Sequence, residues 1–552
     1  MSHYRNLGFR DEHFPQNTLM LKEPLFSSTH ISDTTQVAFV ETNGGFGILV
    51  LLKWAPSASE TVSGPLSLSA VSNSSYRACT APCMTTIDLK DGSGIQTDDT
   101  TSSVFADLSD DTAWVGGARS WLHKITGIFL GTPGEVTAGP FPVQVNPGNP
   151  NTLSSPVHDY SSGNVFVGDT GGYLYRVDST TGAVTATSKL DFGAGIVQGP
   201  IVDSTAELVY VFASSDGSGT CNTNPTSCTG VYQLSASFGA GTKGTEAVVG
   251  ASTANPEPLY IGAFDIAYES STNASGNLYV CGNTGGAPTL YQVPIVAGAL
   301  PAVGIPITRL TPTTDAPACS PVKDVYNTNA SGGPTEKVFV GVENNGLNTA
   351  CSNGGCLFNF VDTQWQPSTA YSVGQEVLAL SSNDGHPYIY VVTATGTSGV
   401  AQPHWPNTAG SEFGDDTVQW IDQGRLLGSA LPVWKSGQVF ATADPRIVDS
   451  NGNVEIVTSP GGGTTGTTTP AWNTTPGGTT TDGTVTWTNA GGLGSFVLPA
   501  AGGTSGLVID NTVGAGTQVG ASQIYFSTLS DQACGGSGTG GCAVQASQSA
   551  LQ

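Results

Sequence analysis

Hydrophobic positions along this chain come in short runs separated by Gly-rich breaks. The stretch SSPVHDYSSGNVFVGDTGGYLYRVDSTTGAVTA, Ser154 to Ala186, shows the pattern. Apolar runs at 156–159, 165–168, 173–177 and 183–186 alternate with the turn clusters SSGN, DTGG and DSTTG. Runs of that length bounded by Gly, Ser, Asp and Asn predict strands. No segment carries the 3.6-residue period of an amphipathic helix. The fold class expected is all-β.

The unit recurs. Residues 101–126, TSSVFADLSDDTAWVGGARSWLHKIT, place Asp107 and Gly116 as Asp159 and Gly168 stand in the first example, nine apart in both. Further copies begin at Gly199 to Asp203, Gly262 to Asp265, Cys319 to Asp324 and Gly506 to Asp510, followed by VYVFAS, LYVCGN, VFVG and IYFS. A degenerate copy lies at Val37 to Val40 with Gly47 to Trp54. Four short strands cannot bury both faces alone, whereas units stacked around a channel cover one another. Seven copies predict a seven-bladed β-propeller. The repeated Asp is expected to end the innermost strand and accept N–H bonds from the following turn. A ring of catalytic or metal-binding carboxylates is the functional alternative. The unit resembles blades of the quinoprotein and outer-membrane-assembly class of propellers, and of secreted bacterial propeller proteins. That resemblance implies a fold and little chemistry.

A second repeat interrupts the first. Pro403-His404-Trp405 followed by Asp415 to Trp420 reappears as Pro470-Ala471-Trp472 followed by Asp482 to Trp487, offset by 67. Upstream of the first copy, Trp365, Pro367, Tyr371, Val373 and Gly374 form W-x-P-x3-Y-x-VG. This copy resembles small carbohydrate-binding modules of the chitin-binding type and similar repeats of phage tail and surface proteins. The second copy lacks that opening and has Trp434 and Gly437 there. The expected division is blades one to six over 26–361, a carbohydrate-binding-like module over 362–430, a degenerate module over 431–490, and blade seven over 491–552. Both modules thus fall between the last two blades.

Sugar-binding modules expose flat aromatic faces on which sugar C–H groups stack. Trp405 and Trp420 recur at fixed offset and are assigned to the core. Trp365 and Tyr371 have no partner at that offset, since 67 residues on stand Pro432 and Gln438. They are therefore expected on the surface as ligand-facing residues, with Tyr388 and Tyr390 as further candidates.

Composition narrows the function. Lys and Arg number 17 against 42 Asp and Glu, a net charge of −25. Polyanion binding needs a basic stripe, so nucleic acid is excluded as a partner, and anionic membranes are disfavoured. The longest apolar run, Phe46 to Leu52, is far short of the ~20 residues of a membrane span. The ten cysteines include the close pairs Cys79 and Cys83, Cys221 and Cys228, Cys351 and Cys356, and Cys534 and Cys542. Each brackets a polar loop and is read as a disulfide, and Cys281 and Cys319 pair by elimination. Disulfides imply an oxidising compartment. Residues 1–25 show no apolar leader core, yet the cysteines place the protein outside the cell or on its surface.

Seven histidines offer little chemistry: His3, His13, His30, His123, His158, His386 and His404. No H-x-x-x-H pair, nucleophile elbow or phosphate loop is present, and of the cysteine pairs only Cys79 and Cys83 approach zinc spacing, without companion ligands. His158 varies between copies on the inner strand and is expected as a solvated channel residue. No cofactor, metal site or catalytic residue is expected. The reading is a secreted non-enzymatic binding or adhesion protein for an extracellular polysaccharide or a surface protein. The alternative is a polysaccharide hydrolase or lyase with a site assembled from several blades.

Overall fold

The computed structural model describes residues 35–43, 46–54, 69–96, 102–107, 110–221, 225–284, 286–311, 319–327, 335–344, 346, 351, 354–362, 365–373, 375–383, 387–408, 410–424, 434–440, 446–449, 453–459, 463–473, 478–492, 495–504, 506–510, 523–533, 539–540 and 542–547. Residues 1–25, His30, His386 and Cys534 lie outside them. The chain is nearly all β, in antiparallel sheets, and divides into two compact units: 1–261 with 298–302, and 262–297 with 303–552. No described helix is long and apolar enough to cross a membrane.

The first unit holds four sheets in sequence order. Thr35–Asn43, Phe46–Trp54 and Cys83–Asp88 form the first. Phe105–Asp107, Thr112–Gly116 and Trp121–Thr126 form the second, with Gly134–Glu135 and Val143–Gln144 both pairing to its last strand. Val157–Asp159, Asn164–Gly168, Leu174–Asp178 and Val184–Ala186 form the third, close to the four runs read from the sequence. Ile201–Asp203, Leu208–Ala213, Cys228–Ser235 and Thr245–Ala251 form the fourth. Strand Asn164–Gly168 shows why Val165, Phe166 and Val167 run apolar without alternation. Val165 and Val167 pack with Trp114 and Leu122 of the second sheet, while Phe166 packs with Val209 and Val211 of the fourth. A strand covered on both faces cannot alternate apolar with polar.

The repeated Asp and Gly now have physical roles. Asp159 accepts from Ser162 N (3.0 Å), Asp203 from Thr205 N and Ala206 N (both 2.9 Å), and Asp265 from Tyr268 N (2.8 Å). The expectation of a turn-capping carboxylate holds at these positions. The repeated Gly sits where one sheet meets the next. A Cβ at Gly116 would lie 2.4 Å from Ser154 O, and one at Gly168 would lie 2.2 Å from Ile196 Cγ2. Gly116 N and Gly168 N donate to Ser102 Oγ (2.9 Å) and Ser154 Oγ (2.8 Å), and Gly341 N repeats the bond to Ser320 Oγ (2.6 Å).

In the second unit, Ala263–Phe264, Gly276–Thr284, Ala287–Ile295 and Ile305–Arg309 pair in order. A sheet of Lys323–Asn327, Thr335–Val342, Cys356–Val361 and Ser495–Pro499 follows. Its fourth strand lies about 130 residues beyond its third, and both aromatic repeats fall between the two in sequence. Residues 495–499, read from the sequence as part of the last repeat, therefore belong to this sheet. Val508–Asp510, Gln523–Ser527 and Ala543–Ser547 form another. Each module has a four-stranded sheet: Glu376–Leu380, Pro387–Ala394, Val418–Gly424, Glu412–Asp415, and Arg446–Val448, Asn453–Ser459, Val485–Gly492, Thr479–Asp482.

Four disulfides are formed among the described residues: Cys79–Cys83, Cys221–Cys228, Cys281–Cys319 and Cys351–Cys356. They match four of the five expected pairs. The fifth, Cys534–Cys542, falls partly outside the described residues.

Candidate functional site

The four aromatic residues expected on a sugar-binding surface are all core. Trp365 is 7% exposed, Tyr371 5%, Tyr388 7% and Tyr390 0%. Trp365 Nε1 donates to Asp415 Oδ2 at 2.7 Å, and Tyr371 Oη accepts from Gln366 N at 2.8 Å. The Tyr371 ring meets Trp420 edge-on at 4.9 Å, and Tyr390 Oη donates to Pro406 O. A module this small has too few apolar residues to spare aromatic rings for its surface. Their absence at the 67-residue offset was misleading for a reason visible in the second module. Trp434 Nε1 donates to Asp482 Oδ2 at 2.7 Å, so it takes the place of Trp365, shifted by two residues. Trp405 and Trp420 are fully buried, as assigned.

His158 is also buried, at 7% exposed, where a solvated residue was expected. It sits on the inner strand Val157–Asp159, and its Nδ1 lies 2.7 Å from Asp107 Oδ2 on the strand Phe105–Asp107 of the preceding sheet. Tyr160 Oη donates to Asp107 Oδ1, and Asp110 N donates to the same oxygen at 3.1 Å. Burial pushes the Asp107 carboxyl up, but the bonds from His158, Tyr160 and Asp110 N outweigh it and hold it below the usual carboxylate value. Lys124 lies over the Trp114 ring at 4.9 Å and donates to Ser179 O at 2.9 Å. Desolvation lowers its pKa against the pull of Asp110 and Asp107. The arrangement ties two sheets together by a charge-assisted bond. Tyr160, half exposed, is its outward edge. His123, fully buried, makes a similar bond within the second sheet, Nδ1 to Glu135 Oε1 at 2.6 Å.

A second polar centre lies in the other unit. One carboxylate oxygen each from Asp324, Glu336 and Asp362 lies within 4.8 Å of the others, and all three residues are buried. Sequence reading reached only Asp324, as a repeat position. The other two stand 12 and 38 residues further on, with no linear spacing to flag them.

No protein-family model matches the chain, and no curated protein matches it in sequence. Among solved structures it is similar to Saccharomyces cerevisiae Sqt1, at 11% identity over 80% of this chain and 95% of that one, with TM-score 0.32. It is similar to the extracellular domain of a hybrid two component system from B. thetaiotaomicron, at 10% identity over 94% and 56%, with TM-score 0.29. A third is the WD40 domain of Toxoplasma gondii coronin, at 13% identity over 60% and 85%, with TM-score 0.24. Scores this low carry no argument about function.

Proposed function

We propose that this protein is an extracellular, non-enzymatic binding scaffold: a propeller-type stack of seven β units whose stapled loops present a surface to a polysaccharide or a surface protein. The observation that carries the reading is where the disulfides fall. Three of the four close loops of four, seven and five residues' separation, at 79–83, 221–228 and 351–356. A bond across so short a loop removes little unfolded-chain entropy, because that gain grows with loop length. What it does supply is a fixed loop shape, and a preorganised loop loses less freedom when it binds. Polar groups of the kind used in catalysis are engaged within the fold: the repeated carboxylates cap turns and Asp107 holds His158. The two aromatic modules contribute further loops, and their buried rings serve as cores.

The test is a binding screen of the full chain against a glycan array and against extracellular protein fractions, run beside the double variant Cys221→Ala, Cys228→Ala. The reading requires a ligand whose affinity falls in the variant while the melting temperature moves little. Loss of fold without any ligand for the native chain overturns it.

A further inference from the structure

The sheet that precedes the aromatic repeats buries a lysine and an amide on one face. Lys337 lies on the strand Thr335–Val342 and Asn359 on its neighbour Cys356–Val361. Lys337 stands opposite Val361, and Asn359 stands opposite Phe339. Opposed residues and residues two apart share a face, so Lys337, Phe339, Leu357 and Asn359 project from the same side of the sheet. Lys337 and Asn359 are diagonal neighbours there, within reach of a long side chain. Their exposures are 7% and 1%. Phe339 and Leu357, on the same face, are buried in an apolar cluster with Ile524 and Phe526. A third group comes from the first aromatic module. Its strand Glu376–Leu380 touches Cys356–Val361, and Glu376 is close enough to Lys337 for each to act on the other's charge.

A buried ion pair repays its desolvation only with excellent geometry. Moving one proton from Lys337 to Glu376 leaves a neutral amine and a neutral acid. Burial favours that form: it lowers the pKa of Lys337 against the pull of Glu376, and it pushes the Glu376 carboxyl up to about 7. A neutral lysine amine is a nucleophile. A carboxylic acid tuned near neutrality can give a proton and take one back. The electrophile within reach is the Asn359 carboxamide. Amides resist amines in water, but groups held in reactive geometry reach effective molarities of roughly 10⁵–10⁸ M. The apolar neighbours keep out competing water.

We propose that Lys337 and Asn359 are joined by an intramolecular amide bond, made by the chain itself with Glu376 as proton carrier. Lys337 Nζ attacks Asn359 Cγ, and the Glu376 proton goes to the carboxamide oxygen. The carboxylate so formed takes a proton from Nζ and passes it to Asn359 Nδ2. The Cγ–Nδ2 bond breaks and ammonia leaves. As the carbonyl re-forms, the proton on its oxygen returns to Glu376. Nothing is oxidised or reduced. The bond ties the last strand before the aromatic repeats to its neighbour, and reducing the disulfides does not release it. The inference does not depend on the proposed ligand-binding role.

The full chain, kept at neutral pH and then reduced and alkylated, is to be weighed by intact mass spectrometry and cleaved after glutamate. Cleavage at Glu336, Glu343 and Glu376 puts Lys337 in the peptide 337–343 and Asn359 in 344–376. The native chain should be lighter than its sequence by one ammonia, and the two peptides should be recovered as one branched species. The branched peptide decides, because a succinimide at an Asn-Gly pair such as Asn353-Gly354 also costs one ammonia. Lys337→Arg and Glu376→Gln should each release the two peptides separately. Should either fail to fold, Asn359→Asp keeps the bond testable: by expelling water in place of ammonia, it should give a branched peptide of the native mass. Peptides 337–343 and 344–376 recovered unlinked from the native chain overturn the proposal. A branched peptide that persists in Glu376→Gln overturns the role given to Glu376.

Discussion

The two aromatic modules are copies of one design, and what they keep differs from what they change. Both tie a Trp indole N–H to an Asp: Trp365 to Asp415 and Trp434 to Asp482, each at 2.7 Å. The other oxygen of each Asp accepts a glycine N–H, from Gly399 at 2.8 Å and Gly466 at 2.7 Å. Trp405 meets Trp420 at 5.9 Å and 68°, and Trp472 meets Trp487 at 6.0 Å and 70°. Tyr371 pairs with Gly396 and stands edge-on to Trp420, while Phe440 pairs with Gly463 and stands edge-on to Trp487. The contacts retained are those that close the core. Changed are polar atoms attached to it: Phe440 has no hydroxyl where Tyr371 has one. Glu455 stands where Tyr390 stands, since Tyr390 pairs with Asp422 and Glu455 with Asn489, 67 residues apart. Duplication has preserved shape and let polarity drift.

The strongest test of that shared core is Trp420→Ala beside Trp487→Ala. Both rings are fully buried, so each variant should cost about 3–5 kcal/mol. Hydrogen exchange should report lost protection in the altered module's strands. Protection kept in one module and lost in the other would break the equivalence. Next come Asp415→Ala and Asp482→Ala. Each strands donors that are buried or partly buried, at up to about 1–3 kcal/mol apiece where burial is complete. Asp482 accepts a third N–H, from Trp487 Nε1 at 3.1 Å, whereas Trp420 Nε1 has no partner. The second module should therefore lose more than the first, and equal losses would show that the third bond is not made.

How far such a comparison could be read from sequence depends on where residues were inserted or lost. Trp405, Trp420, Trp472 and Trp487 were legible as core because nothing shifts the spacing among them. Trp365 and Tyr371 were misread because the second copy is a net two residues shorter between Phe440 and Gly463 than between Tyr371 and Gly396. A fixed-offset comparison then scored retained core residues as lost. The repeated Asp and Gly were legible because turn capping and close sheet contact recur with each unit. The strand Ser495–Pro499 was not, because its pairing to Cys356–Val361 spans an insertion longer than any repeat. Nor were Glu336 and Asp362, which strand pairing brings beside Asp324.

The polar drift also predicts a pH difference. Burial, with Asp449 adding repulsion, pushes the Glu455 carboxyl up to about 8. In the first module, burial pushes Glu376 up to about 7 against the pull of Lys337. A carboxyl whose folded pKa is raised holds its proton in the folded state. Its stabilising contribution is complete below the unfolded pKa, about 4.3. It is lost as pH rises from there to the folded value, by up to about tenfold in the unfolding equilibrium per pH unit. Loss should thus continue to about pH 8 in the second module and end near pH 7 in the first. Hydrogen exchange corrected for intrinsic rate, between pH 5 and 9, checks this. Glu455→Gln should flatten the second module's profile and leave the first unchanged; an unaltered profile would mean that Glu455 is not the titrating group.

The smallest effect expected is that of the hydroxyl that distinguishes Tyr371 from Phe440. Tyr371 Oη accepts from Gln366 N at 2.8 Å, and Gln366 itself is exposed. In Tyr371→Phe the amide can turn to water, so the cost is that of an ordinary net hydrogen bond, about 0.5–1.5 kcal/mol, without the penalty of a buried orphan. The ring should stay edge-on to Trp420, as Phe440 does to Trp487 without a hydroxyl. Exchange should therefore quicken slightly at Gln366 and hardly change in the strands Pro387–Ala394 and Val418–Gly424. The reverse change, Phe440→Tyr, asks whether the second module can still accept what it has lost. Phe440 is 8% exposed, so the new hydroxyl must find a donor at its own module's edge. A gain in protection would show that the site survives as an unused acceptor position. A loss would show that the second module has repacked around the smaller ring, and that its divergence from the first has reached the core.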